Sequence, residues 1–240
     1  EAMLNNPNSV MNGNINGYNN KFSLKAEFLS NETFLKYAML YGTIYFLSRY
    51  SLNRYYNYSI RIDTDNISRK IVLITNAVVA IFKGHDCWNK PHKAILSPFT
   101  ETLTENDINF VDIQKAFHFI MILLSYVGDK QVRNNKNITK KLSRLYNLIS
   151  IGCIILIKKY KKIGGLYVYT TFWMQLSSFF MNSSNILKSL SLSTASNNYY
   201  AMMLQGSKSL SIIHALTMIY SRIYLFTKVI IPIIQGYYRN

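Results

Sequence analysis

Charge is scarce in this chain of 240 residues: Asp, Glu, Lys and Arg together make up 16%, against roughly 25% in an ordinary soluble domain. Acids are scarcest, 11 against 27 Lys and Arg, leaving a formal net charge of +16. With only Cys87 and Cys153 present, a disulfide framework is excluded. HExxH, CxxC, GxGxxG and Walker patterns are all missing, which removes the usual sequence signs of metal, redox, dinucleotide and nucleotide chemistry. No internal repeat of roughly 20–50 residues is visible either. What the chain does have is apolar mass: 49% hydrophobic and 14% aromatic residues, too much for a disordered chain. The mean hydropathy is only +0.04, because Asn-, Ser- and Tyr-rich connectors dilute it. Few charges, a basic excess and many Ile, Leu, Phe and Tyr imply an integral membrane protein.

A spanning helix needs about 20 mostly apolar residues. Six runs approach that length: 34–47 (extended by 48–52), 71–82, 110–127, 142–157, 164–181 and 210–234. They predict an all-α, polytopic transmembrane bundle of about six spanning helices, occupying residues 31–240. The last run is expected to kink or end near Pro232, which cannot continue a helix ladder. Residues 1–30, including NNPNSVMNGNINGYNN, read as an extended polar arm. The arm lacks the apolar core of a signal peptide and the Arg-rich pattern of a transit peptide. Since backbone ordering costs about 1–2 kcal/mol per residue, the arm is expected to pack on neighbouring chains.

The first, third and fourth connectors are basic, and the second is mixed, with Glu101, Glu105 and Asp107 against Lys83, Lys90 and Lys93. Arg69 and Lys70 fall in the first, Lys140 and Lys141 in the third, Lys158 and Lys159 in the fourth. Lysines and arginines beside apolar spans suit anionic phospholipid headgroups, cardiolipin among them. By the positive-inside rule the odd connectors face cytoplasm or matrix, although the basic fourth connector lies on the opposite side. Since the basic residues flank spans and form no stripe on a soluble domain, nucleic acid is not an expected partner.

Polar groups within apolar runs are costly and mark sites by default. Asp112, Lys115 and His118 lie at i, i+3 and i+6 on one helix face, where an Asp–Lys pair neutralises itself. Gln175, Ser177, Ser178 and Asn182 make the densest polar cluster in any run, with Gln175, Ser178 and Asn182 at i, i+3 and i+7. Such a stripe suits interhelical hydrogen bonds or a headgroup pocket. Arg222 lies midway along the last run and should need a partner inside the bundle or a lipid phosphate. His85, His92, His118 and His214 are dispersed. Neither a metal at GHDCWNKPH nor a haem between His118 and His214 is expected.

The stretch WMQLSSFFMNSSNIL, Trp173–Leu187, resembles the signature helix of TLC-domain membrane proteins, the family that includes ceramide synthases. That helix reads Glu-x-Ser-Thr-Pro-Phe-x-Asn. Here Gln175 stands at the Glu, Ser177 and Ser178 at the hydroxyl pair, Phe179 at the Pro, Phe180 at the Phe and Asn182 at the Asn. MIYSRIYLFTKVIIP, with Arg222, Ile223 and Pro232, looks like the family's closing segment. NFVDIQ, with Asp112, looks like the opening of a middle helix. The likeness covers about residues 68–235 and implies a membrane helical fold. The family's paired histidines would fall near Arg144 and Leu145, and its early histidine near Asn76; none is there. With Gln175 in place of the Glu, the groups that would move protons are gone. The resemblance therefore implies a catalytically dead relative.

Taken together, these features lead us to expect a non-catalytic accessory subunit without cofactors, binding phospholipid and held in a large assembly by its helices, arm and basic ends. The mitochondrial inner membrane is the expected location, by analogy with accessory subunits of respiratory-chain or ATP synthase complexes. The alternative is a lipid-handling or acyltransferase protein of the endoplasmic reticulum. A transporter is disfavoured, because broken-helix glycine pairs and an acid-lined pathway are lacking.

Overall fold

A computed structural model describes residues 31–56, 63–84, 104–127, 137–160, 164–192 and 197–224, together with a few positions beyond. The arm, the GHDCWNKPH connector and Pro232 lie outside the described residues. Six α-helices follow one another, and no strand occurs among the described residues: α1 (Glu32–Tyr56), α2 (Thr64–Gly84), α3 (Glu105–Val127), α4 (Asn137–Tyr160), α5 (Gly164–Ser191) and α6 (Asn197–Ile219). A π-helical turn, Tyr220–Tyr224, continues α6.

Helix starts are set by local side-chain chemistry. Asn31 caps α1, its Oδ1 accepting from the Phe34 amide at 2.8 Å, and Asp63 caps α2 through the Asn66 amide at 3.0 Å. At α3, Thr104 and Asp107 cap each other: the Thr104 amide and hydroxyl donate to the Asp107 carboxylate, and the Asp107 amide donates back at 3.2 Å. This reciprocal box satisfies donors that the first turn would leave open. The far end of α3 carries no basic residue of its own. Its last carbonyls are met from neighbouring helices, Arg69 of α2 on the Leu124 oxygen at 2.5 Å and Arg144 of α4 on the Ser125 oxygen at 2.8 Å.

Around α3 the bundle closes. Helix α1 packs on α2 and α3, α4 packs on α3, α5 packs on α2, and α6 packs mainly on α5. One core joins Tyr41, Tyr45, Val72, Ile113, Phe117 and Leu124; a second joins Ala80, Phe110, Val111, Ile154 and Val168. Gly84 lets α2 approach α5, since a Cβ there would lie 3.2 Å from the Phe172 ring and 3.4 Å from Phe110.

The count of spans is not confirmed, and the start of the last helix moves. Helices cover the first five apolar runs, but among the described residues only α3 is long and apolar enough to cross a membrane by length and composition. Much of α3 is buried in the bundle, as a central helix would be in either solvent. The others are diluted where they extend past their runs, α2 by Thr64, Asp65, Asn66, Arg69 and Lys70 at its start and α4 by Lys140 and Lys141. The last helix also begins at Asn197, well before the run that starts at Leu210, because the preceding YYAMMLQGSK joins it with only Gly206 to weaken it, which a helix tolerates.

Candidate functional site

At the centre of the bundle a polar chain crosses four helices. The Tyr41 hydroxyl of α1 donates to Asn76 Oδ1 of α2 at 2.8 Å. Asn76 and Gln114 of α3 then exchange amide hydrogen bonds, each 3.2 Å, and the Gln175 amide of α5 reaches Gln114 Oε1 at 3.4 Å. Tyr41, Asn76 and Gln114 are fully buried. Every link is an amide or a phenol, and the chain holds helices together without a carboxylate or imidazole to move a proton. Asn76 and Gln175 thus meet on one residue, Gln114.

One end of the interior is charged. Asp112 is 2% exposed and lies 2.9 Å from Lys158 of α4 and 3.3 Å from Lys115 of its own helix, with Asn31 Nδ2 donating at 2.7 Å. Asp112 is thus the tie between α1, α3 and α4. Towards the other end, Asp65 accepts from the Tyr45 hydroxyl and from Arg69 Nε at 2.9 Å, with Arg49 at 3.8 Å. Burial pushes the Asp65 carboxyl up. The hydrogen bonds from Tyr45 and Arg69 and the two guanidinium charges outweigh that and hold it below the ordinary value.

The sequence-predicted stripe divides on folding. Gln175 faces α3 as described, whereas Asn182 turns back on its own helix, donating to the Ser178 carbonyl at 2.8 Å and hydroxyl at 3.0 Å. Ser177 faces α6, where its hydroxyl and carbonyl both lie 3.0 Å from His214 Nδ1. His118 leaves the Asp112–Lys115 pair and meets Asn147 Oδ1 of α4 at 2.8 Å. The two histidines therefore serve different helix pairs, and no group of three or more His, Cys, Asp or Glu positioned to hold a metal occurs among the described residues.

Of the two partners expected for Arg222, the one inside the bundle is not found among the described residues, which leaves the lipid phosphate. Arg222 is exposed. The reason is its depth: with α6 starting at Asn197, Arg222 lies at the end of the helical path, about 35–40 Å along. Tyr220, just before it, stacks 4.6 Å from Trp173 near the start of α5. Of the candidate headgroup residues, Arg69 and Lys158 turn inward to Asp65 and Asp112, because buried carboxylates need those charges. Lys141 and Lys159 are exposed, and Lys70 is half-buried. Burial lowers the Lys70 ammonium, against the opposing charge of Asp63. The Lys140 side chain lies outside the described residues.

Sequence reasoning missed Asp65, Gln114, Asn147 and the second role of Asn76. The signal was there for Asn76, a lone amide inside IVLITNAVVAIF. Comparison of the chain with protein families, with curated proteins and with solved structures finds no match.

Proposed function

We propose that the chain is a non-catalytic, polytopic membrane subunit whose six helices cross the bilayer within a larger assembly. One observation carries the reading: polar and charged side chains are buried beside the apolar cores, while large apolar side chains are exposed. Asn76, Gln114, Lys115 and Ser68 are fully buried, while Leu142, Leu145, Leu148 and Ile149 on α4 and Met202, Ile212, Leu216 and Ile223 towards the C-terminus are exposed. In water such a surface invites association. Lipid reverses the preference: polar groups must find partners inside, and apolar faces are free to meet acyl chains or neighbouring helices.

Anionic phospholipid, cardiolipin among the candidates, and other membrane subunits are the partners that suit this surface and its basic ends. The mitochondrial inner membrane, in a respiratory-chain or ATP synthase type of assembly, is our preferred location; that step is analogy. The absence of catalysis is supported by amides where a proton-moving enzyme would need titratable groups. A second reading, a TLC-type lipid-handling protein of the endoplasmic reticulum, is favoured by the meeting of Asn76 and Gln175 on Gln114. Carbonate extraction followed by native gel electrophoresis of gently solubilised membranes tests both. Retention in the membrane and migration in a stoichiometric large complex is the expected result. A free monomer with acyl-CoA turnover would favour the second reading, and release by carbonate would defeat both.

A further inference from the structure

Asn31 and Thr104 start α1 and α3 at the end of the bundle where α2 finishes, and a cleft of about 310 Å³ opens between the three helices. That volume is at the lower end of small-molecule sites, roughly 300–1,000 Å³. Its polar wall carries Lys36 from α1, Lys83 from α2, and Thr33, Asn106 and Asn109 from the first turns of α1 and α3. No carboxylate among the described residues lines it. Among the described residues the nearby acids are placed elsewhere: Asp107 closes the α3 cap, Asp112 holds Lys115 and Lys158, and Glu32 and Glu105 are exposed at the helix starts without lining the cleft. Among the described residues neither Lys36 nor Lys83 has an ion-pair partner. Two ammonium groups thus line one cleft with no carboxylate of the described residues beside them.

The remaining wall is apolar, with Phe110 and Ile113 buried behind the cleft and Phe82, beside Lys83, 76% exposed at its rim. Thr33 donates to the Asn109 side-chain oxygen at 3.4 Å, which aligns the first turns of α1 and α3. The positive ends of these two helix dipoles point to the same side as the lysines. Cations, side-chain amides and an exposed phenyl ring together match a phosphate joined to something apolar.

We infer that this cleft is a binding site for the phosphate of an anionic phospholipid, held by Lys36 and Lys83 with the glycerol and upper acyl chain against Phe82. The inference rests on the membrane reading for the source of the phosphate. Phosphate recognition itself needs only the two ammonium groups and their neighbouring donors. None of these residues was among the headgroup candidates drawn from the sequence.

The test uses the full chain, purified in detergent and delipidated, with binding followed by native mass spectrometry. Phosphatidylglycerol is expected to bind at one tight site, and phosphatidylcholine weakly. K36Q/K83Q should lose about thirtyfold in affinity for phosphatidylglycerol, as expected when two lysines at an anionic headgroup are neutralised. K36R/K83R should keep it, and K141Q/K188Q, at the other end of the bundle, should leave it unchanged. Equal binding by wild type and K36Q/K83Q overturns the site. Saturation by inorganic phosphate without binding of phosphatidylglycerol overturns the lipid as occupant. Carbonate extraction of the same variants separates the two readings. A protein retained in membranes but blind to phosphatidylglycerol defeats the cleft alone. A protein released by carbonate defeats the membrane reading, and the inorganic phosphate arm then still decides whether the cleft binds phosphate.

Discussion

Asp65 shows how one carboxylate ties two helices at a helix start. It lies in the first turn of α2, ahead of the apolar run Ile71–Phe82, and gathers Tyr45 and Arg49 from α1 with Arg69 from its own helix. Because its folded pKa is depressed, its contribution is present above the unfolded value of about 3.9 and is lost as pH falls through the lower folded value. Asp65→Asn should therefore be less stable than wild type at pH 7, and the gap should close progressively below about pH 4. Thermal midpoints of both proteins in detergent, measured from pH 7 down to pH 3, check this. A gap independent of pH would mean that Asp65 acts by shape alone. The tie was illegible in the sequence because Asp65 stands in an ordinary polar connector, DTDNIS, and only the folded chain brings Tyr45 across to it.

Among the elements, the spacing between α2 and α5 depends on Gly84. A side chain there must displace the rings of Phe172 and Phe110, and overpacking of this kind costs about 1–3 kcal/mol. Gly84→Leu should lower the thermal midpoint for that reason. Gly152, on α4, has nothing within 4 Å of an added Cβ. Gly152→Leu should hold or raise the midpoint, since glycine costs a helix interior about 0.5–1 kcal/mol relative to alanine. Equal effects of the two substitutions would show that the close approach at Gly84 does not matter. The first five apolar runs were legible as helices. The start of α6 was not, because Tyr199–Lys208 is neither apolar enough to read as a span nor interrupted by a residue that stops a helix.

At the scale of the whole molecule, the exposed face of α4 separates a water-facing bundle from a lipid- or subunit-facing one. Leu145 and Ile149 are 54% and 57% exposed on that face. Replacing both by Asp should be almost neutral in water, where surface substitutions usually stay within about ±0.5 kcal/mol. At the centre of a membrane helix each Asp costs about 2.5–3.5 kcal/mol. L145D/I149D is therefore expected to drop out of the membrane fraction or of the parent complex, while circular dichroism in detergent shows the helices intact. Unchanged membrane retention and unchanged complex yield would contradict the proposed surroundings of this helix.

Composition and run length alone determined that the apolar runs are helical, because helix hydrogen bonds close within four residues. Local caps such as Thr104 with Asp107 belong to the same class: three residues apart, they meet whatever the rest of the chain does. Which polar groups meet across helices was decided only by the tertiary structure. Asn76 finds Gln114, Asp112 finds Lys158, and Lys36 and Lys83 line one cleft only because each helix takes a particular rotation and depth against its neighbours. Arg222 makes the same point by its depth. Its environment followed from where α6 begins, and that in turn from packing on α5 along a stretch whose sequence is equally polar and apolar. Rotation and depth are set by the sum of many weak packing contacts over the whole bundle, and no local stretch of sequence contains that sum.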